Sequence, residues 1–191
     1  MDTSASLLDR LRAGSVPADW RRLVDLYTPL IRTWLGRHGL QAADADDLTQ
    51  HVLTVVVAKL PSFRHSGRRG AFRAWLRGIT VNTLRAFWRS RPEPSPPGGF
   101  DDVLDRLQDP GSELSLQWDR EHDEHVTRRA LRAIEPEFKP TTWLAFRRLV
   151  IDESNPETVA AELGVSVNAV LIAKSRVLAR LRRELIGFVL D

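Results

Sequence analysis

Residues 154 to 186, SNPETVAAELGVSVNAVLIAKSRVLARLRRELI, carry start and stop signals so closely spaced that they confine the segment to two helices meeting at a sharp turn. Asn155 can cap a first helix. Pro156 suits its first turn, where a missing N–H is unpaired anyway, and Glu157 complements the positive end of the dipole. Gly164 follows Leu163 where a left-handed residue would end that helix. Ser166 can cap a second one that carries Val170, Val177, Leu181 and Leu185 along one stripe. Small Ala160 and Ala161 allow the two to approach closely. Roughly three or four residues between short helices force a steep angle, and a helix held at that angle can be laid into a DNA major groove. The segment reads as a helix-turn-helix, although an ordinary helical hairpin shares its turn chemistry.

Length and composition restrict the rest. A chain of 191 residues can hold one or two small domains, each with a modest core. Without cysteine it has no disulfide, no thiolate metal site and no cysteine nucleophile. No run approaches the roughly 18 apolar residues needed to span a bilayer. The start, MDTSASLLDR, lacks a basic region followed by an apolar stretch, so a soluble, cytoplasmic protein is expected. Helix formers dominate, and apolar residues recur at three- and four-residue spacing, which predicts an all-α fold of two small helical domains.

The net charge of +3 conceals a partition along the chain. Residues 1 to 92 hold fifteen Arg or Lys against seven acids, residues 93 to 125 two against ten, and residues 126 to 191 eleven against eight. The acidic strip opens RPEPSPPGGFDD, where four prolines and two glycines within nine residues forbid a continuing helix. Residues 1–92 and 126–191 are therefore expected as domains. Residues 93–125 are expected as a flexible linker with a short helix near Leu114 to Val126.

In the first lobe the spacing predicts helices from about Ala18 to Arg37, Asp44 to Leu60 and Gly70 to Arg89, with a short one from about Ser6 to Arg12. The first has Trp20, Leu23, Val24, Tyr27, Leu30, Ile31 and Trp34 on its apolar stripe, with a kink expected at Pro29. The second starts on Asp44, Asp46 and Asp47, which suit the dipole, and ends at Pro61. The third has a core face of Phe72, Trp75, Leu76, Ile79, Thr83 and Phe87.

Between Lys59 and Arg91 there is no acid, while Arg64, Arg68, Arg69, Arg73, Arg77, Arg85, Arg89 and Arg91 supply eight positive charges. Interleaved with Phe63, Phe72, Trp75, Phe87 and Trp88, they suit a nucleic-acid backbone plus unstacked bases, more a single-strand than a duplex footprint. Helical spacing assigns Phe72 and Trp75 to the core instead. His122 and His125 lie at i, i+3 among acids, but no third or fourth metal ligand stands near them, so they read as structural or exposed histidines. No Gly-rich phosphate loop, nucleophile elbow or paired catalytic carboxylate motif is present. Neither an enzyme nor a cofactor or metal is expected.

DADDLTQHV at 44 to 52 and FRHSGRRGAFRAWLRGITVNTLRAFWRSR at 63 to 91 resemble region 2 of bacterial extracytoplasmic-function sigma factors. ETVAAELGVSVNAVLIAKSRVLARLR at 157 to 182 resembles their region 4. The resemblance is especially close to sigma factors of planctomycete-like bacteria, in the region 4 stretch SVNAV and AKSRVL above all. The resemblance covers about three quarters of the chain, and two modules in this order across an acidic, Pro-rich connector are more specific than either alone.

The resemblance implies core RNA polymerase as partner, through the β′ clamp helices and the β flap, and promoter DNA, both duplex and single-stranded. An anti-sigma factor is a further partner the family admits. It implies that Asp47, Gln50 and Thr54, on one face of the second helix, dock on the β′ clamp helices while Leu48, Val52, Val55 and Leu60 are buried. It gives Arg73, Arg77, Asn82 and Arg85 the melting of the minus-ten element and the holding of its non-template strand, and the loop from Phe63 through Arg64, Arg68 and Arg69 the capture of a flipped base. In the second module the outward side of the last helix would read the minus-thirty-five element. Helical projection puts Asn168, Leu171, Ile172, Ser175, Arg176, Ala179, Arg182 and Arg183 outward. Leu171, Ile172 and Ala173 replace hydrogen-bonding side chains by apolar ones suited to thymine methyls or a protein neighbour. The reading is a sigma factor that directs promoter-specific initiation. The alternative is a helix-turn-helix regulator that is not a polymerase subunit, with the first module a sensory or dimerisation bundle.

Overall fold

Apolar residues at helical spacing do fold as helices. A computed structural model describes residues 7–14, 16–38, 40–64, 70–90, 100–186 and 188–189, and these form nine α-helices and no strand. The all-α expectation holds. Two compact units are present, Met1–Val126 with Gly187–Asp191, and Thr127–Ile186.

In the first unit α1 (Leu7–Arg12) buries Leu7, Leu8 and Leu11, and Arg10 pairs with Asp19 at 3.0 Å. Helix α2 (Pro17–Arg37) has proline in its first turn, where no N–H is needed, and buries Leu23, Tyr27, Leu30, Ile31, Trp34 and Leu35. It runs as one helix through Pro29. Helix α3 (Ala42–Lys59) buries Ala45, Leu48, Thr49, Val52, Leu53 and Val56, and passes into a 3-10 turn at Leu60–Ser62 around Pro61. Helix α4 (Ala71–Arg89) buries Phe72, Leu76, Ile79, Val81 and Leu84. Helix α2 packs on α3, and α3 on α4. Gly70 opens α4 with φ +78°, a left-handed conformation, and the guanidinium of Arg73 lies where a Cβ would stand, 2.6 Å away.

The acidic strip differs from the expected linker. Residues 91–99 lie outside the described residues, but α5 (Phe100–Gln108) and α6 (Glu113–Ile134) follow at once, and the first unit continues to Val126. The cause is an apolar stripe within the acids. Leu104, Leu107, Trp118, His122 and Val126 are all at most 2% exposed, and the Trp118 ring meets Trp34 edge to face at 4.8 Å. Phe188, beyond α9, also belongs to this unit rather than to the second module, because its ring packs against Tyr27 and Phe72.

The second unit contains the end of α6, α7 (Pro140–Val150), α8 (Pro156–Leu163) and α9 (Val167–Leu185). Its core is Ala145, Val159, Ala160, Val170 and Ala173, with Leu149, Leu163 and Val167 against it. Asn155 Oδ1 accepts from the Glu157 N–H at 2.9 Å, and Ser166 Oγ accepts from the Ala169 N–H at 3.2 Å, so both predicted caps are formed. Gly164, at φ 64° and ψ 34°, ends α8 in a Schellman motif: Val165 N–H donates to the Ala160 carbonyl at 3.0 Å and Gly164 N–H to that of Ala161 at 3.4 Å.

Candidate nucleic-acid interface

The basic, acid-free stretch folds mainly as α4, and the acidic helices that follow lie on it. Arg73 donates from Nη1 to Asp123 Oδ2 at 2.7 Å and from Nε to Asp119 Oδ2 at 3.1 Å. Arg77 donates to Asp119 Oδ1 at 2.5 Å and to the Ser115 carbonyl at 3.3 Å. Asn82 accepts from Gln108 Nε2 at 3.2 Å, and Arg85 pairs with Asp105. Arg73 and Arg77 are one turn apart, as are Asp119 and Asp123, so two i, i+4 rows face each other across the α4–α6 contact. Arg77 is a buried cation with 6% of its side chain exposed.

The network continues into the core. Asp123 can only accept, so His122 donates its Nδ1–H to Asp123 Oδ1 at 3.0 Å, leaving Nε2 to accept the Tyr27 hydroxyl at 3.1 Å. Burial lowers the His122 pKa, with the Asp123 hydrogen bond opposing it. Burial, reinforced by the Asp123 charge, raises that of Tyr27 well above the usual tyrosine range. His125 donates to the Leu26 carbonyl at 2.7 Å. The two histidines thus tie α6 to α2, and no group of metal-ligating side chains exists among the described residues.

The remaining residues named from sequence fall into three sets. Phe63, expected in a base-capturing loop, is instead 9% exposed, with its ring 4.8 Å from Trp75 and 5.8 Å edge to face from Phe72. The aromatic cluster that closes the end of α4 takes it inward. Arg64 is exposed, while Arg68 and Arg69 lie outside the described residues. On α3, Asp47, Gln50 and Thr54 are exposed along one face, opposite buried Leu48, Val52 and Leu60 and half-buried Val55. The Thr54 hydroxyl donates to the Gln50 carbonyl at 2.8 Å.

In the second unit α8 and α9 are bent by 104° at their break, inside the range of about 90–120° of a helix-turn-helix. Asn168, Leu171, Ile172, Ser175, Arg176, Ala179, Arg182 and Arg183 are all exposed, while Val170, Val177 and Leu181 are buried. Ala173 belongs with the buried set, so the outward apolar pair is Leu171 and Ile172, at 44% and 43% exposed. Arg180 is turned aside, paired with Glu137 at 2.7 Å and Glu184 at 3.0 Å. Sequence reasoning missed the partners supplied by α5 and α6, namely Asp105, Gln108, Ser115, Asp119 and Asp123. The matched i, i+4 spacing of Asp119 and Asp123 was the signal available.

Residues 23–92 match the family described as sigma-70 region 2. The match begins at Leu23 within α2 and runs past the end of α4, and the matched family is not a class of enzymes. No curated protein matches the chain. Among solved structures, a chain from the 1.8 Å structure of the RsbN–BldN complex aligns over 92% of this chain and 97% of its own, with 19% identity and a TM-score of 0.36. No single helix among the described residues is long and apolar enough to cross a membrane.

Proposed function

We propose that the protein is a sigma factor of the extracytoplasmic-function, planctomycete-like type, which binds core RNA polymerase in the cytoplasm and directs it to particular promoters. The observation that carries the reading is the sigma-70 region 2 match over residues 23–92. Support comes from the second unit, where a 104° bend and a helix with an exposed, basic outer face suit minus-thirty-five recognition by a region 4 module within residues 126–191. Asp47, Gln50 and Thr54 form the face for the β′ clamp helices, and the second module meets the β flap. Arg64, Arg68, Arg69, Arg73, Arg77, Asn82 and Arg85 serve the minus-ten strand. Asn168, Leu171, Ile172, Ser175, Arg176, Arg182 and Arg183 serve the upstream duplex. Two modules on one chain gain affinity for two promoter elements through effective concentration. An anti-sigma protein is a natural restraint on such a factor.

Run-off transcription with core polymerase, followed by mapping of start sites, tests the reading. Wild type should give discrete starts that core enzyme alone lacks. Asp47→Arg with Gln50→Ala adds a cation on an exposed face without touching the core. It should abolish co-purification with polymerase while circular dichroism stays helical. Unchanged co-purification would remove the α3 face from the interface, and absence of any start would refute the sigma reading.

A further inference from the structure

We propose that α5 and the first half of α6 are a built-in competitor for nucleic acid, an acidic clasp that occupies the strand-holding face of α4 and must leave before a strand can bind. The inference rests on that face having the role given to it above. Its ground is that every α4 residue assigned to the strand is already bonded to this segment: Arg73 to Asp119 and Asp123, Arg77 to Asp119 and Ser115, Asn82 to Gln108, and Arg85 to Asp105. Carboxylates present to guanidiniums the same charged acceptor oxygens that phosphates do, so segment and strand compete for the same donors. With no acid between Lys59 and Arg91, the carboxylates that neutralise α4 come from the segment that follows it. At 6% exposure the Arg77 guanidinium lies beyond the reach of a phosphate while α6 is in place. The clasp is anchored by Leu104, Leu107 and Trp118, all buried, so opening is rare in the free protein. Apparent affinity for a strand then falls by the fraction of molecules that are open.

Equilibrium binding of a fluorescein-labelled oligodeoxythymidine to the full chain, read by anisotropy, tests the clasp. Asp105→Asn, Asp119→Asn and Asp123→Asn together keep shape and remove the competing charges. Affinity should rise at least about tenfold at low salt, and the salt slope should steepen by roughly 0.7 for each arginine released. Asp101→Asn, Asp102→Asn and Glu124→Gln make the same change of net charge at exposed positions. They should move affinity by no more than about threefold, within the general electrostatic effect. Equal gains in the two triple variants would reduce the effect to net charge and overturn the proposal, as would no gain in the first. Adding Arg73→Ala and Arg85→Ala to the clasp variant should cancel its gain, and a gain that survives overturns the clasp. If the triple variant loses helicity, Asp105→Asn alone at the exposed α5 pair should still steepen the slope, and an unchanged slope counts against the proposal. Run-off transcription separates the two readings: transcription by wild type with no gain on release sinks the clasp alone, whereas a gain without transcription sinks the sigma reading alone.

Discussion

Removing Asp119 strips the buried Arg77 guanidinium of its carboxylate, and the size of the effect follows from the geometry. With 6% of its side chain exposed, Arg77 meets Asp119 Oδ1 at 2.5 Å and the Ser115 carbonyl at 3.3 Å. In Asp119→Ala the longer of these bonds would remain. An uncompensated buried charge costs about 3–5 kcal/mol. Two features pull the value to the lower end: Asp119 is 23% exposed, so water enters the vacated space, and Arg73 keeps Asp123 at 2.7 Å. We expect a loss of about 3 kcal/mol for the single variant. Arg77→Met with Asp119→Ala takes the charge away along with its partner, and should cost only about 1 kcal/mol. Urea titration followed by tryptophan fluorescence reads the right unit, because Trp20, Trp34, Trp75, Trp88 and Trp118 lie in the first and only Trp143 in the second. Slopes that match wild type would confirm that midpoints report stability. A loss under about 1 kcal/mol for Asp119→Ala, or a double variant as damaged as the sum of the singles, would refute the buried-cation argument.

Three further outcomes are expected. Asn155→Ala should destabilise the second unit by about 1 kcal/mol and Gly164→Ala by about 1–2 kcal/mol, since one loses the α8 cap and the other forces a Cβ into φ 64°; thermal melting that matches wild type would contradict both. Burial lowers the His122 pKa in the folded protein, so as pH drops through about 6.5 the unfolded chain takes up a proton more readily than the native state does. Stability should be full above that pH and fall as pH drops, and urea midpoints at pH 7.5 and 5.5 that differ no more in wild type than in His122→Gln would exclude this. Arg176→Ala should cost about 1–3 kcal/mol and relax preference at one upstream position if Arg176 reads a base edge, or weaken all sequences alike if it holds phosphate. Selection from randomised upstream DNA distinguishes the two, and no change in either respect shows that the outer face of α9 lies elsewhere.

Local chemistry made the second unit legible. Asn155, Pro156, Gly164 and Ser166 act within their own turns, so their roles can be read with no knowledge of what packs nearby, and each does what its type dictates. The stripes of α2, α3 and α4 were legible for the same reason, being periodic within one helix. Phe63 was not. Whether an aromatic in a basic loop faces a base or a neighbouring ring depends on Phe72 and Trp75, one helical turn apart and some ten residues away, and the ring went inward.

The acidic strip misled for a deeper reason. The prolines at 92 to 97 signal a break in the sequence, but such a signal says nothing of where the chain resumes, and ten acids in residues 93–125 look like solvated surface when weighed as charges alone. Set against the acid-free α4, the same charges are complementary: Asp119 and Asp123 repeat with the spacing of Arg73 and Arg77, and Trp118, His122 and Val126, each four residues apart beside them, are spaced to bury one side of a helix. Charge partition along a chain therefore supports two opposite readings, repulsion from an external polyanion or attraction to an internal cation face. What decides between them is whether the acidic run also carries an apolar stripe in register with its carboxylates. Leu104 and Leu107 on α5, and Trp118 and His122 on α6, supply that stripe, and they turn a segment that looks like a tether into one that covers the arginines it follows.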